Sequence, residues 1–308
     1  MELRKLLPAL PLTVLLALGA CTAAPENAAD SSGQPELVLA GDADPMYRAL
    51  AGVYARELEA DGFQVTVLDP AADPVGQVRD GQADLAVTAA SSFLAARAAA
   101  DNADDADGAE NTDDDGNPAT ALTREEVTRL ATSGQDEEFS GIEISPGDLG
   151  QLLVMSRADM ALNKIEDISD LLAQCQDLSF AASPEAAPQL REALDAEDCP
   201  PEAVTGSGER DPAELLRHAD AQAVALSRNR ALIADEGFIA VPSSAGLFNS
   251  QPVLAFGTTD LDPAAQGILA TVTAALTDDT LLAVNRMVQG PEPASVEDVA
   301  RHWQWLIQ

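Results

Sequence analysis

Apolar and polar positions change rhythm several times along this chain, and each change marks an element. Leu37 to Ala40 is an unbroken apolar run of strand length. Asp44 and Pro45 follow, an N-cap residue and a proline suited to the first helical position. Met46, Leu50, Val53, Tyr54 and Leu58 then fall on one face at helical spacing. Asp61-Gly62 supplies a glycine stop, and Phe63, Val65 and Val67 alternate as a strand. Two strands joined through a helix imply a parallel pair with a right-handed crossover. A short helix from Asp73-Pro74 to Asp80-Gly81 leads to a further strand, Ala83 to Thr88.

The same start recurs at Ser183-Pro184, Asp211-Pro212 and Asp262-Pro263, each ahead of a helix-compatible segment. Strands are predicted between them at Gly150 to Ser156, Leu178 to Ala182, Ala223 to Leu226, Phe238 to Val241 and Val253 to Phe256. After Phe256 the pattern is helical to the end, with Ser295 and Asp298 forming a capping-box-like start for the last helix. Alternating strands and helices predict an α/β fold with mainly parallel sheets.

The first 35 residues read differently. Arg4 and Lys5 precede an apolar run from Leu6 to Leu18, which ends in Leu18-Gly19-Ala20-Cys21. A basic start, a short apolar run and small residues before a cleavage point make a signal peptide over residues 1–20. The run falls short of the ~20 apolar residues a spanning helix needs. Leu-Gly-Ala-Cys resembles the lipobox of bacterial lipoproteins, which implies that Cys21 carries fatty-acyl chains such as palmitate and becomes the mature N-terminus. Two such chains suffice for stable anchoring, at ~0.8 kcal/mol per buried CH₂. Residues 21–35, small and polar, form a flexible tether. The expected location is the extracytoplasmic face of a cell membrane, held by lipid.

The chain has 52 acidic and 17 basic residues, a net charge of −35. Loss of residues 1–20 removes Glu2, Arg4 and Lys5 and leaves 51 against 15. Such a surface repels nucleic acid. With Cys21 lipidated, Cys175 and Cys199 remain as a pair in an oxidising compartment, where a disulfide is expected. Residues 102–120 are nearly all Asp, Asn, Ala, Gly and Glu, and read as a like-charged insert without structure. Within it Asn111, Asp113, Asp115 and Gly116 resemble the opening of an EF-hand loop. The twelfth position is Leu122 rather than a bidentate Glu, and Pro118 interrupts the loop, so no metal site is expected.

Catalytic signatures are missing. His218 and His302 are the two histidines, far apart and each on a helix without partners. Ser207 lacks the spacing of a nucleophile elbow, and there is no Walker A, no HExxH and no GxGxxG after a strand. No enzyme and no cofactor are expected. Binding is the remaining reading, because ligands of open α/β sheets sit beyond the carboxyl ends of strands. The segments there include Asp42, Tyr47, Ser91, Ser92, Ser183, Ser227 and Asn229. Helix capping explains Asp44, Ser183 and part of Ser91-Ser92 equally well.

The order of segments also resembles a known family. ELVLAGDADPMYRALAGVYARELEADGFQV (36–65), VGQVRDGQADLAV (75–87), GFIAVPSSAGLFNSQPVLAFG (237–257), LTDDTLLAVNRMV (276–288) and SVEDVARHWQWL (295–306) are collinear. Together they are similar to the substrate-binding proteins of ABC importers for glycine betaine, choline and related osmoprotectants. The resemblance implies a two-lobed, type II periplasmic-binding-protein-like fold with a hinge of two crossover strands. One lobe would comprise 36–149 with 251–308 and the other 150–250, with Gln151 and Gln251 near the crossings. A small polar solute, betaine- or choline-like or of another kind, would bind between lobes and pass to a permease subunit. The protein would be a monomer that hydrolyses nothing.

The ligand contacts implied are Asp42, Tyr47, Ser91, Ser92, Ser183, Ser227 and Asn229, with charge from Asp42, hydrogen bonds from the serines and Asn229, and an aromatic wall from Tyr47. Quaternary ammonium groups are held in aromatic cages. Where the family carries tyrosines after the strand at Ala83 to Thr88, this chain has Thr88-Ala-Ala-Ser-Ser-Phe93. Tyr47, Phe93 and Phe248 are the aromatic residues to place at a cleft or in the core. The same fold would equally serve a non-transport envelope lipoprotein that senses or holds a protein partner.

Overall fold

The structure is a computed structural model that describes residues 35–104, 121–133, 138–184, 186–199, 204–208, 210–290 and 292–307. The signal peptide, Cys21, the tether and most of the acidic insert lie outside the described residues.

The chain first builds β1 (Glu36–Gly41), α1 (Pro45–Ala60), β2 (Gln64–Val67), α2 (Pro74–Arg79), β3 (Leu85–Ala89), α3 (Ala90–Asp104), α4 (Arg124–Thr132) and β4 (Ser140–Asp148). It continues with β5 (Gln151–Met155), α5 (Arg157–Asn163), α6 (Ile168–Ala173), β6 (Phe180–Ala182), α7 (Ala187–Ala196), β7 (Val204–Gly206), α8 (Pro212–Arg217), β8 (Ala223–Ser227), α9 (Ala231–Asp235) and β9 (Ile239–Ala240). It closes with β10 (Pro252–Gly257), α10 (Pro263–Ala275), α11 (Asp278–Gln289) and α12 (Val296–Leu306).

Two five-stranded sheets result, ordered β2-β1-β3-β10-β4 and β7-β6-β8-β5-β9. The first three strands of each order run parallel, while β10 and β4, and β5 and β9, join antiparallel. The expectation of mainly parallel sheets is corrected on this point. A strand that enters from the other sheet meets its new neighbours antiparallel.

Side-chain alternation explains the apolar runs. In β1, Leu37 and Leu39 face a core built with α1, α10, α11 and α12, while Val38 and Ala40 face the α2, α3 and α4 side. β10 divides the same way, with Val253 and Ala255 on one face and Leu254 and Phe256 on the other. The second sheet repeats the pattern in β8, where Ala223 and Ala225 oppose Val224 and Leu226. Strands covered on both faces need apolar residues at every position. Phe93, Phe139 and Phe256 form a compact aromatic trio with centroids 4.9–5.6 Å apart. Phe93 is thus a core residue.

Local capping chemistry fixes most helix starts. Asp44, Asp73, Asp211 and Asp262 each accept a bond from a first-turn backbone N–H, with proline at the first helical position. Ser183 departs from this scheme. Its Oγ accepts from Ala186 N at 3.3 Å, and α7 begins only at Ala187 with no side-chain cap. α3 reaches Asp104, into the stretch expected to lack structure. Cys175 and Cys199 are joined, their Cα atoms 5.8 Å apart, and both are buried in the second sheet's main core. No single helix among the described residues is long and apolar enough to cross a membrane.

Candidate ligand cleft

Two segments carry the chain between the sheets, at Leu149-Gly150 and at 241–251, and they are bonded to one another. Leu149 N donates to Gln251 O at 2.8 Å. The buried Asp148 carboxylate accepts from Gly150 N (2.6 Å), Gln251 N (2.9 Å) and the Ser250 hydroxyl. Its own backbone N–H donates to Asp278 at the start of α11. One side chain therefore ties both crossings together. Gly147, one residue earlier, has no room for a Cβ, which would lie 2.7 Å from Leu276 O and 2.6 Å from Thr277 C.

Against these crossings lies a cleft of about 440 Å³, within the size range of small-molecule sites. The first sheet's side supplies Asp44, Met46 and Tyr47 from the start of α1, Ala89 and Ser91 from the β3–α3 junction, and Asn285 and Gln289 from α11. The second supplies Ala186 and Gln189 around the start of α7, and Ser227 and Asn229 at the end of β8. Leu149, Gln151, Phe248, Asn249 and Gln251 come from the crossings. The carboxyl ends of β3 and β8 thus open into one space, as open α/β sheets require of a binding site.

Four of the seven expected contact residues line this cleft: Tyr47, Ser91, Ser227 and Asn229. Asp42 and Ser92 lie beside it and bond to each other, Ser92 Oγ donating to Asp42 Oδ2 at 3.3 Å and Thr88 Oγ1 to the same oxygen at 3.4 Å. Ser183 is engaged with the α7 start. The sequence reading missed Asn249, Asn285, Gln189 and Gln289 as lining residues. Gln151 and Gln251 were expected at the crossings, and both also line the cleft.

Its polar chemistry is dominated by neutral amides: among the described residues seven Asn or Gln side chains line it, with no Lys, Arg or His. Three amide oxygens are claimed by backbone N–H groups: Gln251 Oε1 accepts from Ser91 N at 3.0 Å, Asn249 Oδ1 from Leu122 N at 2.7 Å, and Asn285 Oδ1 from Ala231 N at 3.4 Å. Asn229 bonds to the Ser227 hydroxyl at 2.6 Å and donates to Leu281 O at 3.4 Å. Gln151 Oε1 is buried without a partner among the described residues. Tyr47 is buried, and its hydroxyl pKa is pushed well above the usual value, first by burial and then by the negative charges of Asp44, Asp42 and Asp148. It stays a neutral phenol.

His218 and His302 are both exposed. No group of three or more metal-ligating side chains occurs among the described residues.

No protein-family model and no curated protein sequence matches the chain. Solved structures do. A glycine betaine/carnitine/choline ABC transporter protein superposes with a TM-score of 0.70 at 10% identity, over 90% of this chain and 100% of that one. Apo YehZ from Escherichia coli gives 0.62 at 14% identity, over 89% and 98%. An ABC-transporter choline-binding protein in complex with choline gives 0.54 at 11% identity, over 87% of each chain. Two mixed five-stranded sheets joined by paired crossings, superposed on these proteins across almost their whole length, give this chain the type II periplasmic-binding-protein-like fold of ABC-transporter binding proteins.

Proposed function

We propose that the chain is an extracytoplasmic solute-binding lipoprotein of an ABC importer, which captures a small polar solute between two lobes and presents it to a membrane-embedded permease. The observation that carries this reading is the cleft at the paired crossings, to which both sheets contribute polar side chains. The lobes are 36–149 with 251–308, and 150–250. Closure by hinge motion at Asp148–Gln151 and Phe248–Gln251 would enclose a solute. The fold shared with ABC-transporter proteins supports the transport role. The protein's own part is binding, and it performs no bond chemistry.

Anchoring follows from the lipobox-like Leu18-Gly19-Ala20-Cys21. Acylated Cys21 with the tether after it would keep the lobes beside the permease. Fractionation and palmitate labelling of Cys21→Ser test the anchor: label and membrane association are both lost if Cys21 carries the lipid.

Thermal unfolding of the full chain against fractionated small-molecule cell extract tests capture. A solute that binds only the folded state raises the midpoint, by an amount that grows with the logarithm of its concentration over Kd. A fraction that does so, with its effect lost on dialysis, is the expected result. Failure of every fraction to shift the midpoint would favour an envelope role without solute capture.

A further inference from the structure

The solute-binding reading, on which this step rests, leaves the chemical class of the solute open, and the hydrogen-bonding groups of the cleft restrict it. We infer that the cleft takes a neutral, hydroxyl-rich solute of the sugar or polyol class, rather than a quaternary amine or a charged amino acid.

Charge excludes first. Among the described residues no Lys, Arg or His lines the cleft to receive a carboxylate or phosphate; Arg124 and Arg228 belong to the adjoining hollow, which shares Gln151, Phe248 and Asn249 with it. Arg230 and Arg286, on the surface next to Asn285 and Gln289, are already paired with Asp211 and Asp235. The carboxylate of Asp44, which lines the cleft, and those of Asp42 and Asp148 beside it already accept hydrogen bonds. Asp148 holds the crossings, Asp42 receives two hydroxyls and Asp44 N, and Asp44 caps α1 through Met46 N. Their field repels anions. Among the described residues a trimethylammonium group finds two aromatic rings in the lining, Tyr47 and Phe248, and two rings do not enclose a cation on all sides as an aromatic cage does.

The donor pattern then selects. A backbone N–H can bond only to an amide's oxygen, so Ser91, Leu122 and Ala231 fix the orientation of Gln251, Asn249 and Asn285. Each NH₂ is left for the cleft that the residue lines. The Tyr47 hydroxyl adds a donor without a partner among the described residues. Acceptors stand beside these donors: Gln151 Oε1 is buried without a partner, and the amide oxygens of Gln189 and Gln289 and the Ser91 hydroxyl, which also line the cleft, have none among the described residues. A solute must therefore offer several acceptors and at least one donor, without charge. Hydroxyl groups do both. The faces of Tyr47 and Phe248 can cover the C–H side of a sugar ring.

Isothermal calorimetry of the full chain in mild detergent tests this, with monosaccharides, disaccharides and linear and cyclic polyols in one set, glycine betaine and choline in a second, and charged amino acids in a third. Asn249→Asp, Asn285→Asp and Gln251→Glu accompany the parent, since each keeps the acceptor that its backbone partner needs while removing the NH₂. The expected result is binding of a member of the first set, weakened tenfold or more in each variant whose midpoint of unfolding is unchanged. Unchanged affinity in all three variants overturns the assignment. Binding confined to the second or third set also overturns it and leaves solute capture standing. Absence of binding in all three sets overturns the assignment, and solute capture itself is then decided by the extract experiment.

Discussion

Gln251 Oε1 accepts a hydrogen bond from the backbone N–H of Ser91 at 3.0 Å, across 160 residues of sequence. Ser91 lies in the first turn of α3, where N–H groups have no partner within the helix. A side chain on the return crossing therefore finishes a helix that the outward chain began, and does so at the wall of the cleft. Gln251→Ala is expected to lower stability by about 1 kcal/mol, the usual effect of losing a cap. Gln251→Glu restores the acceptor and adds a charge that suits a helix N-terminus, so urea unfolding at pH 7 should match or exceed the parent. Equal stability of Gln251→Ala and the parent would show that the bond does not act in solution.

Legibility in the sequence followed the range of the interactions. Asp44-Pro45 predicts the start of α1 because capping is decided within a few residues, and the same holds at Asp73, Asp211 and Asp262. Val253 to Phe256 reads as a strand because both of its faces are buried. β4 escaped notice. It is an edge strand that carries Gly141, Pro146 and Gly147, and it pairs with β10 through irregular register, so its alternation is confined to Ile142–Ser145 between breakers. β7 is likewise a short edge strand.

The cleft divides the same way. Ser91, Ser227 and Asn229 were found by their position at strand ends. Asn285 sits mid-helix in α11 with a helical pattern on either side, and only tertiary packing brings it to Ala231. Ser183 stood in the same kind of place as Ser91, but its hydroxyl serves the local turn instead.

Asp148 offers a sharper test of the crossings. Asp148→Ala leaves the N–H groups of Gly150 and Gln251 without an acceptor in a buried setting. An orphaned buried donor costs about 1–3 kcal/mol, so a loss of about 2–4 kcal/mol is expected in urea unfolding. Asp148→Asn keeps one acceptor oxygen for both N–H groups, and the Ser250 hydroxyl can turn to accept from its NH₂. It should lose less than half as much. Comparable losses from the two variants would mean that charge, rather than hydrogen bonding, holds the junction.

The Cys175–Cys199 bridge closes a loop with a sequence separation of 24. On the chain-entropy account such a loop stabilises the folded state by about 3.5 kcal/mol. The Cys175→Ser, Cys199→Ser double variant should unfold at correspondingly lower urea concentration, and reductant should destabilise the parent while leaving the double variant unchanged. A parent insensitive to reductant after prolonged incubation in mild urea would speak against the bridge.

Alkaline pH should reveal the two buried tyrosines. Burial pushes the pKa of both Tyr47 and Tyr54 upward. Nearby carboxylates add to this at Tyr47, and the bond to Thr273 partly opposes it at Tyr54. In the unfolded chain a tyrosine ionises near pH ~10. Above that pH the unfolded chain releases these protons while the folded chain keeps them, so the folded state binds more protons and stability falls as pH rises. The contribution is complete below pH ~10, and each tyrosine that remains protonated when folded adds a slope approaching ~1.4 kcal/mol per pH unit above it. Urea midpoints measured between pH 8 and 11.5 should fall steeply in the parent and less steeply in Tyr47→Phe. Tyr54→Phe should flatten the limb as well, starting from a lower plateau because Thr273 loses its buried partner. An alkaline limb as steep in both variants as in the parent would show that these hydroxyls do not hold their protons in the folded protein.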